Sequence, residues 1–452
     1  MTHIPLAATI SLSEHDLTRF FVAVVALMAC AHLMGSLFGR LRMPRVIGEI
    51  AGGLLLGPTV LGAVSPSAQA WVFDAFPEEG KLLAMVSSFG VVLLMFFSGM
   101  ETRARFARED RKVAIPVLIG ATALPFAAGL AAPLVFDFSS YMGARGNDAS
   151  LVIVIGIAVA ITSIPVISKI FLDLGIMHTR FARIVLTVAT VEDIALWGLV
   201  GVATALAESG SPSVAELVLT PVITVGFFVL TMWGLPRLLQ AALRSPARAM
   251  LEHRPARFAL LACFSMVALA SLAGVNLIFG ALLAGMAICR LPEPIVETIR
   301  TKVKAFALVF FTPIYFAIVG LKLDLGRQFD PAFFFSFLAF CTVMKTAGTF
   351  VAGWYATRDR RSTINLAAAL NARGGPGIVL ATVAFDAQII DERFFVTLVL
   401  MAVFTSLAAG TWFRYVLARG WDLLVVRGEG PAPAEPAVPP VAAGNGRVKE
   451  TV

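Results

Sequence analysis

The 452 residues are 58% hydrophobic and 14% charged, with a mean hydropathy of +0.85, against roughly 25% charged in an ordinary soluble domain. Such a chain is an integral membrane protein, and its apolar residues come in blocks of about 20, the length of a membrane-crossing helix, not in the alternating segments of a barrel. The net charge of +7 does not point to nucleic acid, because the basic residues sit between the apolar blocks and so report orientation.

The amino-terminal segment, 1–18, lacks the basic start and small-residue cleavage site of a signal peptide, so the first apolar block is expected to remain as a helix. Thirteen spans are expected in an all-α polytopic membrane protein, at roughly 19–38, 45–63, 82–100, 113–134, 151–171, 184–206, 215–236, 257–273, 275–290, 304–320, 332–354, 364–385 and 394–415. The pair flanking Gly274 has short members and also reads as one bent hairpin. Alternate loops are basic. They carry Arg40, Arg42 and Arg45; Arg103, Arg105, Arg108, Arg111 and Lys112; Arg180 and Arg183; Arg237, Arg244, Arg248, Arg254 and Arg257; Arg290, Arg300, Lys302 and Lys304; and Arg358, Arg360 and Arg361. The opposite loops hold only Lys81, Arg145, Lys322, Arg327 and Arg393 beside acids such as Glu78, Glu79, Asp137 and Asp324. The positive-inside rule then places the amino terminus outside (periplasmic) and the carboxyl terminus in the cytoplasm, which requires an odd number of spans.

The segment 421–452 is expected to be a disordered cytoplasmic tail: from Glu429 it is Pro/Ala-rich without apolar periodicity, and it is too short for a nucleotide-binding domain. The four cysteines, Cys30, Cys263, Cys289 and Cys341, fall inside apolar spans without a CxxC spacing and read as packing residues.

Two spans are interrupted. In the fifth, Pro165 follows Thr162 and Ser163; its missing N–H and its clash with the carbonyl of Ile161 should open the helix there and free carbonyls and two hydroxyls for a cation. Taken alone, this is equally a proline kink patched by neighbouring hydroxyls. The twelfth span, however, holds Asn371-Ala-Arg-Gly-Gly-Pro-Gly377, a second run of helix breakers in an element of opposite direction seven spans later. Paired interruptions of this kind suggest an inverted repeat, spans four to six against eleven to thirteen, with the breaks meeting near the midplane.

The sixth span contains Glu192 and Asp193. A carboxylate in hydrocarbon costs roughly 3 kcal/mol on insertion scales, so an adjacent pair needs partners, water or a bound cation. Neighbours on a helix point about 100° apart, so only one can face squarely into a small site. Asp193 is taken as the ion and proton ligand, a monovalent-cation site completed by Glu192 as a second titratable group. A structural ion pair with Lys345 or Arg373, the two candidate intramembrane bases, stays open. Lys345 can lose its proton when buried, whereas Arg373 effectively cannot and is assigned to charge compensation at a helix end or carboxylate. Glu49, His32, Asn276 and Thr312-Pro313 are polar residues with less to say: each is accounted for by an interface, by packing or by a cavity wall.

PRVIGEIAGGLLLGPTVLG (Pro44 to Gly62), the LLMFFSGMET run (Leu93 to Thr102), AITSIPVISKIF, TVEDIALW, FFTPIYFAIVGLKLDL (Phe310 to Leu325) and LNARGGPGIVLA together resemble the monovalent cation:proton antiporter-2 family, over roughly residues 19 to 420. The family includes sodium/proton antiporters, Kef-type potassium transporters and plant cation/proton exchangers. The resemblance implies the sodium/proton antiporter fold, with an ion-binding core (about 113–206 and 332–415), two broken helices crossing at the midplane, and a dimerisation scaffold (about 19–100 and 215–320) within a transporter domain of 19–420. It implies Asp193 as the essential carboxylate, Thr162 and Ser163 at the first crossing break, Lys345 as the basic partner of the acidic site, Arg373 beside the second break, and a homodimer moving by elevator-like alternating access. Glu192-Asp193 departs from the Asp-Asp of electrogenic sodium/proton members and the Gln-Asp of Kef-type members, which leaves Na+ against K+ and the proton stoichiometry open. The nucleotide-binding domain of Kef-type members is not expected.

The expected activity is exchange of a monovalent cation, Na+ or K+, for protons, without a cofactor and without enzymatic chemistry. Competition of cation and proton for the same carboxylates couples the fluxes, since the empty charged site is costly to move through the barrier. Rival readings are transport of an anion or small solute drawn by Arg373, a pH or ion sensor on a transporter scaffold, and an intramembrane protease. The last lacks an HExxH, a membrane Ser/His pair and a second intramembrane aspartate opposite Asp193. A multi-pass protein of a bacterial inner membrane, in contact with lipid, is the expected setting.

Overall fold

The computed structural model describes residues 12–41, 43–101, 109–208, 213–243 and 254–426. The expected tail from Glu429 and the basic positions Arg42, Arg103, Arg105, Arg108, Arg244 and Arg248 lie outside the described residues. The chain is helical almost throughout: α1 (Glu14–Arg40), α2 (Arg45–Leu56), α3 (Glu79–Glu101), α4 (Arg111–Leu130), α5 (Asp148–Ala160), α6 (Ile164–Asp173), α7 (Arg180–Glu208), α8 (Val214–Leu243), α9 (Pro255–Leu272) and α10 (Leu277–Ile288). There follow α11 (Glu293–Leu321), α12 (Pro331–Thr357), α13 (Arg360–Leu370), α14 (Gly374–Asp386) and α15 (Glu392–Ala418).

The expected count of thirteen spans is not reached. Among the described residues 11 helical stretches are long and apolar enough to cross a membrane, α5 and α6 counting as one, and 12 if the bent pair α13 and α14 is also one span. The shortfall is α10, whose 12 residues rise only about 18 Å against a hydrocarbon core of about 30 Å. It follows α9 through Gly274, whose φ of +69° makes the tight reversal, and its residues from Ile278 to Ile288 are buried. A second correction concerns the tenth span. It starts at Glu293 and not near 304, so Arg300, Lys302 and Lys304 lie on the helix and not in a loop. It passes through two π stretches, Arg300–Lys304 and Ala307–Phe311, before the segment Thr312–Leu321.

Small residues decide which helices touch backbone to backbone. A Cβ on Gly120 of α4 would lie 2.4 Å from the carbonyl oxygen of Gly348 on α12, and one on Gly348 would lie 2.2 Å from that of Gly120. Gly99 of α3 and Gly285 of α10 allow a like approach, a Cβ on the first lying 2.1 Å from the carbonyl oxygen of Leu282 and one on the second 2.0 Å from that of Phe96. On the face of the bundle where loops carry few basic residues, the α4–α5 loop joins the α14–α15 loop through a bridge between Met142 and Ile390. On the basic face, the buried Asp110 receives Arg180 at 3.0 Å and Arg183 at 2.6 Å, fixing the start of α7 to the start of α4.

Candidate ion-binding site

The first break occupies Ile161 to Ser163. Helix α5 ends at Ala160, three residues run non-helically, and α6 begins with Pro165 in its first turn. Pro165 starts a helix here as much as it interrupts one, since its absent N–H falls where no intrahelical partner exists. Ser163 is the N-cap, its Oγ accepting from the N–H of Val166 at 3.3 Å.

The second break falls at Asn371 to Arg373, between α13 and α14, which are bent by 40°. Gly374 has φ +38°, and a Cβ there would lie 2.6 Å from Ser163 Oγ and 2.3 Å from Val166 Cγ2. The two breaks therefore touch. Two bonds lace them together: Ser163 N–H donates to the carbonyl of Ala372 at 2.6 Å, and Thr162 Oγ1 donates to that of Leu370 at 2.7 Å.

A helix end inside hydrocarbon leaves carbonyls without partners and a partial negative charge of roughly half a unit. At the end of α5 the two intramembrane bases take up this charge. Arg373 donates through Nε to Ala158 at 3.1 Å and through Nη2 to Val159 at 3.2 Å, with a further bond from Nη2 to Cys341 at 3.0 Å. Lys345 on α12 donates to Ala160. The carbonyls that the sequence reading left for a cation are thus held by basic side chains, and the hydroxyls of Thr162 and Ser163 brace the breaks.

Lys345 is also paired with Glu192, Nζ to Oε1 at 2.7 Å, with neither side chain exposed to solvent. Thr122 of α4 reaches the other oxygen of Glu192 at 3.4 Å. Asp193, the next residue on α7, is equally buried, yet neither of its carboxylate oxygens has a hydrogen-bond partner among the described residues. A buried carboxylate without a partner needs a proton or a cation. One acid of the pair is matched by a lysine, and among the described residues the other is matched by none.

The model of the family described as sodium/hydrogen exchanger, transmembrane, matches residues 24–419. The chain belongs to that family. It is 27% identical over 404 residues to the Na(+)/H(+) antiporter NhaS4 of Synechocystis, covering 88% of this chain and 96% of the relative. It is 26% identical to the Na(+)/H(+)-K(+) antiporter GerN of Bacillus cereus, with the same coverage. The K(+)/H(+) antiporter 1 of Saccharomyces cerevisiae is 30% identical across 87% of this chain, but the match spans only 46% of that longer protein. In fold, this exchanger-family chain resembles a solved structure of the sodium proton antiporter MjNhaP1 from Methanocaldococcus jannaschii, with a TM-score of 0.60 at 12% identity, covering 89% of this chain and 99% of that one.

The structure brings together Thr162, Ser163, Glu192, Lys345 and Arg373 by direct bonds or through shared backbone, and places Asp193 beside Glu192 without a bond. Sequence reasoning missed Thr122, and it missed Thr405 and Ser406 of α15. These two accept from the N–H groups of Arg373 at 3.3 Å and Gly374 at 3.1 Å, so they cap α14 from a neighbouring helix. Adjacent hydroxyls in the middle of the last span were the available signal. Asn371 was read only as a helix breaker; its Nδ2 binds Thr346 Oγ1 at 3.0 Å.

Proposed function

We infer that this protein is a secondary antiporter that exchanges Na+ or K+ for protons by alternating access, with Asp193 as the ion- and proton-binding carboxylate. The unpartnered, fully buried Asp193 next to a lysine-paired Glu192 carries this reading. The family and the relatives' names supply the class of reaction. In the empty site Lys345 holds Glu192; a cation entering between the two carboxylates competes with Lys345 for Glu192, and the proton released by the lysine adds to that of Asp193. Thr162 and Ser163 hold the crossing of the breaks so that the site keeps its shape, with Arg373 compensating the end of α5. The ions are substrates and not resident cofactors, and the protein works as a transporter, not an enzyme.

The moving core comprises about 113–206 and 332–415, and the helices at about 19–100 and 215–320 form the scaffold, through which two copies dimerise in the lipid bilayer of a bacterial inner membrane. The basic loops face the cytoplasm, with the amino terminus outside and the carboxyl terminus inside. Transport of an anion drawn by Arg373 is disfavoured because its guanidinium is bonded to carbonyls at the break.

The test is proton flux in proteoliposomes with Na+, K+ or Li+ added in turn, at clamped and free membrane potential. Dissipation of a pH gradient by Na+ or K+, abolished in Asp193→Asn with the fold intact, is the expected result. Unchanged flux in that variant refutes the site, and an absence of cation-dependent flux across a broad pH range refutes the activity.

A further inference from the structure

The side chains that meet at the crossing, Thr162, Ser163, Glu192, Asp193, Lys345 and Arg373, are all 0% exposed, while Thr122 beside Glu192 is half-buried. Something must therefore close the route from each face of the membrane. On the face whose loops carry few basic residues, side chains of α11 and its end reach α14 at two points. Tyr315 Oη lies 3.3 Å from Thr382 Oγ1, with Tyr315 wholly buried. Lys322, just past the end of α11, donates to Asp386 at the end of α14 at 2.7 Å and lies 5.7 Å from the Phe385 ring centroid.

The inner contact is buried, whereas the outer one is partly exposed, with Lys322 at 28% and Asp386 at 54%. Tyr315 is pinned from behind by α3, where a Cβ on Gly90 would come 2.7 Å from Tyr315 Cβ and 2.8 Å from the carbonyl oxygen of Phe311. That carbonyl closes the π stretch Ala307–Phe311, after which α11 resumes its ordinary pitch at Thr312 and Pro313. Thr382 and Asp386, by contrast, sit on the half-helix that starts at the second break, so any displacement of that break relative to α11 pulls on both bonds. Tyr315 and Lys322 are seven residues apart, about 10 Å along a helix axis. One contact thus lies at the ends of the two helices and the other about two turns back along α11, at a buried tyrosine.

We propose that the α11–α14 contact is a latch which holds the entrance on the sparsely basic face shut, with Tyr315–Thr382 as its inner bolt and Lys322–Asp386 as its outer one. Tyr315 and Lys322 are positioning residues: they do not touch the ion, and they set how often the site is open to that face. This rests on the alternating-access reading above. A ligand's apparent affinity falls in proportion to the fraction of protein in the competent state, so weakening the latch has opposite effects on the two faces.

The experiment measures the apparent KM for Na+ or K+ from each face in membrane vesicles of known orientation. The variants are Lys322→Glu, Asp386→Lys, their combination, and Tyr315→Phe, none of which alters an ion-binding residue. Breaking the half-exposed outer pair is expected to lower the apparent KM on the sparsely basic face about three- to fivefold and to raise it on the other. The swapped pair restores the wild-type values, and Tyr315→Phe shifts both faces in the same sense as Lys322→Glu without any change of charge. If the wild type exchanges cations while these variants match it on both faces, or change both faces in one direction, the latch is overturned and the exchange reading stands. If the wild type shows no cation-dependent flux, it is the exchange reading that fails. Should Lys322→Glu fail to fold, Tyr315→Phe and the swapped pair still decide the matter.

Discussion

The two breaks touch, yet they are stabilised by different means. At the first, the negative end of α5 points into the protein and is met by two full positive charges, Arg373 and Lys345. At the second, the positive end of α14 is met by two neutral hydroxyls, Thr405 and Ser406, although Arg373 Nη1 also donates to the carbonyl of Asn371 at 3.3 Å. Both bases come from the second half of the chain and serve a helix end in the first half. If the halves are related by an inverted repeat, that symmetry is one of backbone and not of charge. Two positive charges stand near two carboxylates, but Lys345 bonds Glu192 and Arg373 bonds carbonyls, so the charge of Asp193 still calls for a proton or a cation.

This contrast can be broken most forcefully at the charged break. Glu192→Gln or Lys345→Met each leaves half of a buried ion pair and should cost about 3–5 kcal/mol, whereas the double variant should cost clearly less than the sum. Thermal unfolding of the purified protein in detergent reads this, and strict additivity of the two would mean that the pair is not energetically joined. Arg373→Ala comes next. It strips the carbonyls of Ala158, Val159 and Cys341 of a charged donor, each such bond being worth about 1.5–3 kcal/mol when taken singly. A loss of roughly 3 kcal/mol is expected, with Arg373→Lys intermediate because an ammonium restores the charge but not the planar fork. Wild-type stability in Arg373→Ala would remove the helix end from the account.

Much of this was legible in the residues. Pro165 and the Asn371–Gly377 run announced two breaks because proline lacks an N–H and glycine disfavours the helix, and Glu192-Asp193 stood out because acids in apolar spans are costly. What was not legible has a common physical origin. Which acid Lys345 takes depends on a rotation of about 100° around α7 and on where α12 crosses it, and no spacing records that. The pairing of Arg373 with the end of α5 joins residues 215 positions apart. The count of spans is not confirmed at α10, since a helix buried from Ile278 to Ile288 has the composition of a membrane span without the length. The π stretches of α11 left no mark in composition, so its start near Glu293 was read as a loop.

A smaller effect tests the backbone contact of α4 and α12, the helices that supply Thr122 and Lys345. Gly348→Ala sets a methyl group 2.2 Å from the carbonyl oxygen of Gly120. Overpacking of this kind costs about 1–3 kcal/mol, and Gly120→Ala should behave alike. Unfolding midpoints equal to the wild type in both variants would show that the helices separate freely.

The smallest effect sharpens the comparison most, because it asks whether the two breaks are one unit. Ser406 accepts from Gly374 at 3.1 Å while donating to Ala402 at 2.7 Å, and Ser163 accepts from Val166 at 3.3 Å. Each therefore caps one of the two half-helices, α14 and α6. Ser406→Ala and Ser163→Ala should each cost about 1 kcal/mol, the usual worth of such a cap. The caps are not remote from each other, since the position a Cβ would take on Gly374 is 2.6 Å from Ser163 Oγ. Removing both lets the crossing relax in a way that neither variant permits alone, and the double variant should depart from additivity by at least about 0.5 kcal/mol. Additive costs would mean that the breaks are capped independently and that only the bases, together with the bonds from Thr162 and Ser163, tie one to the other.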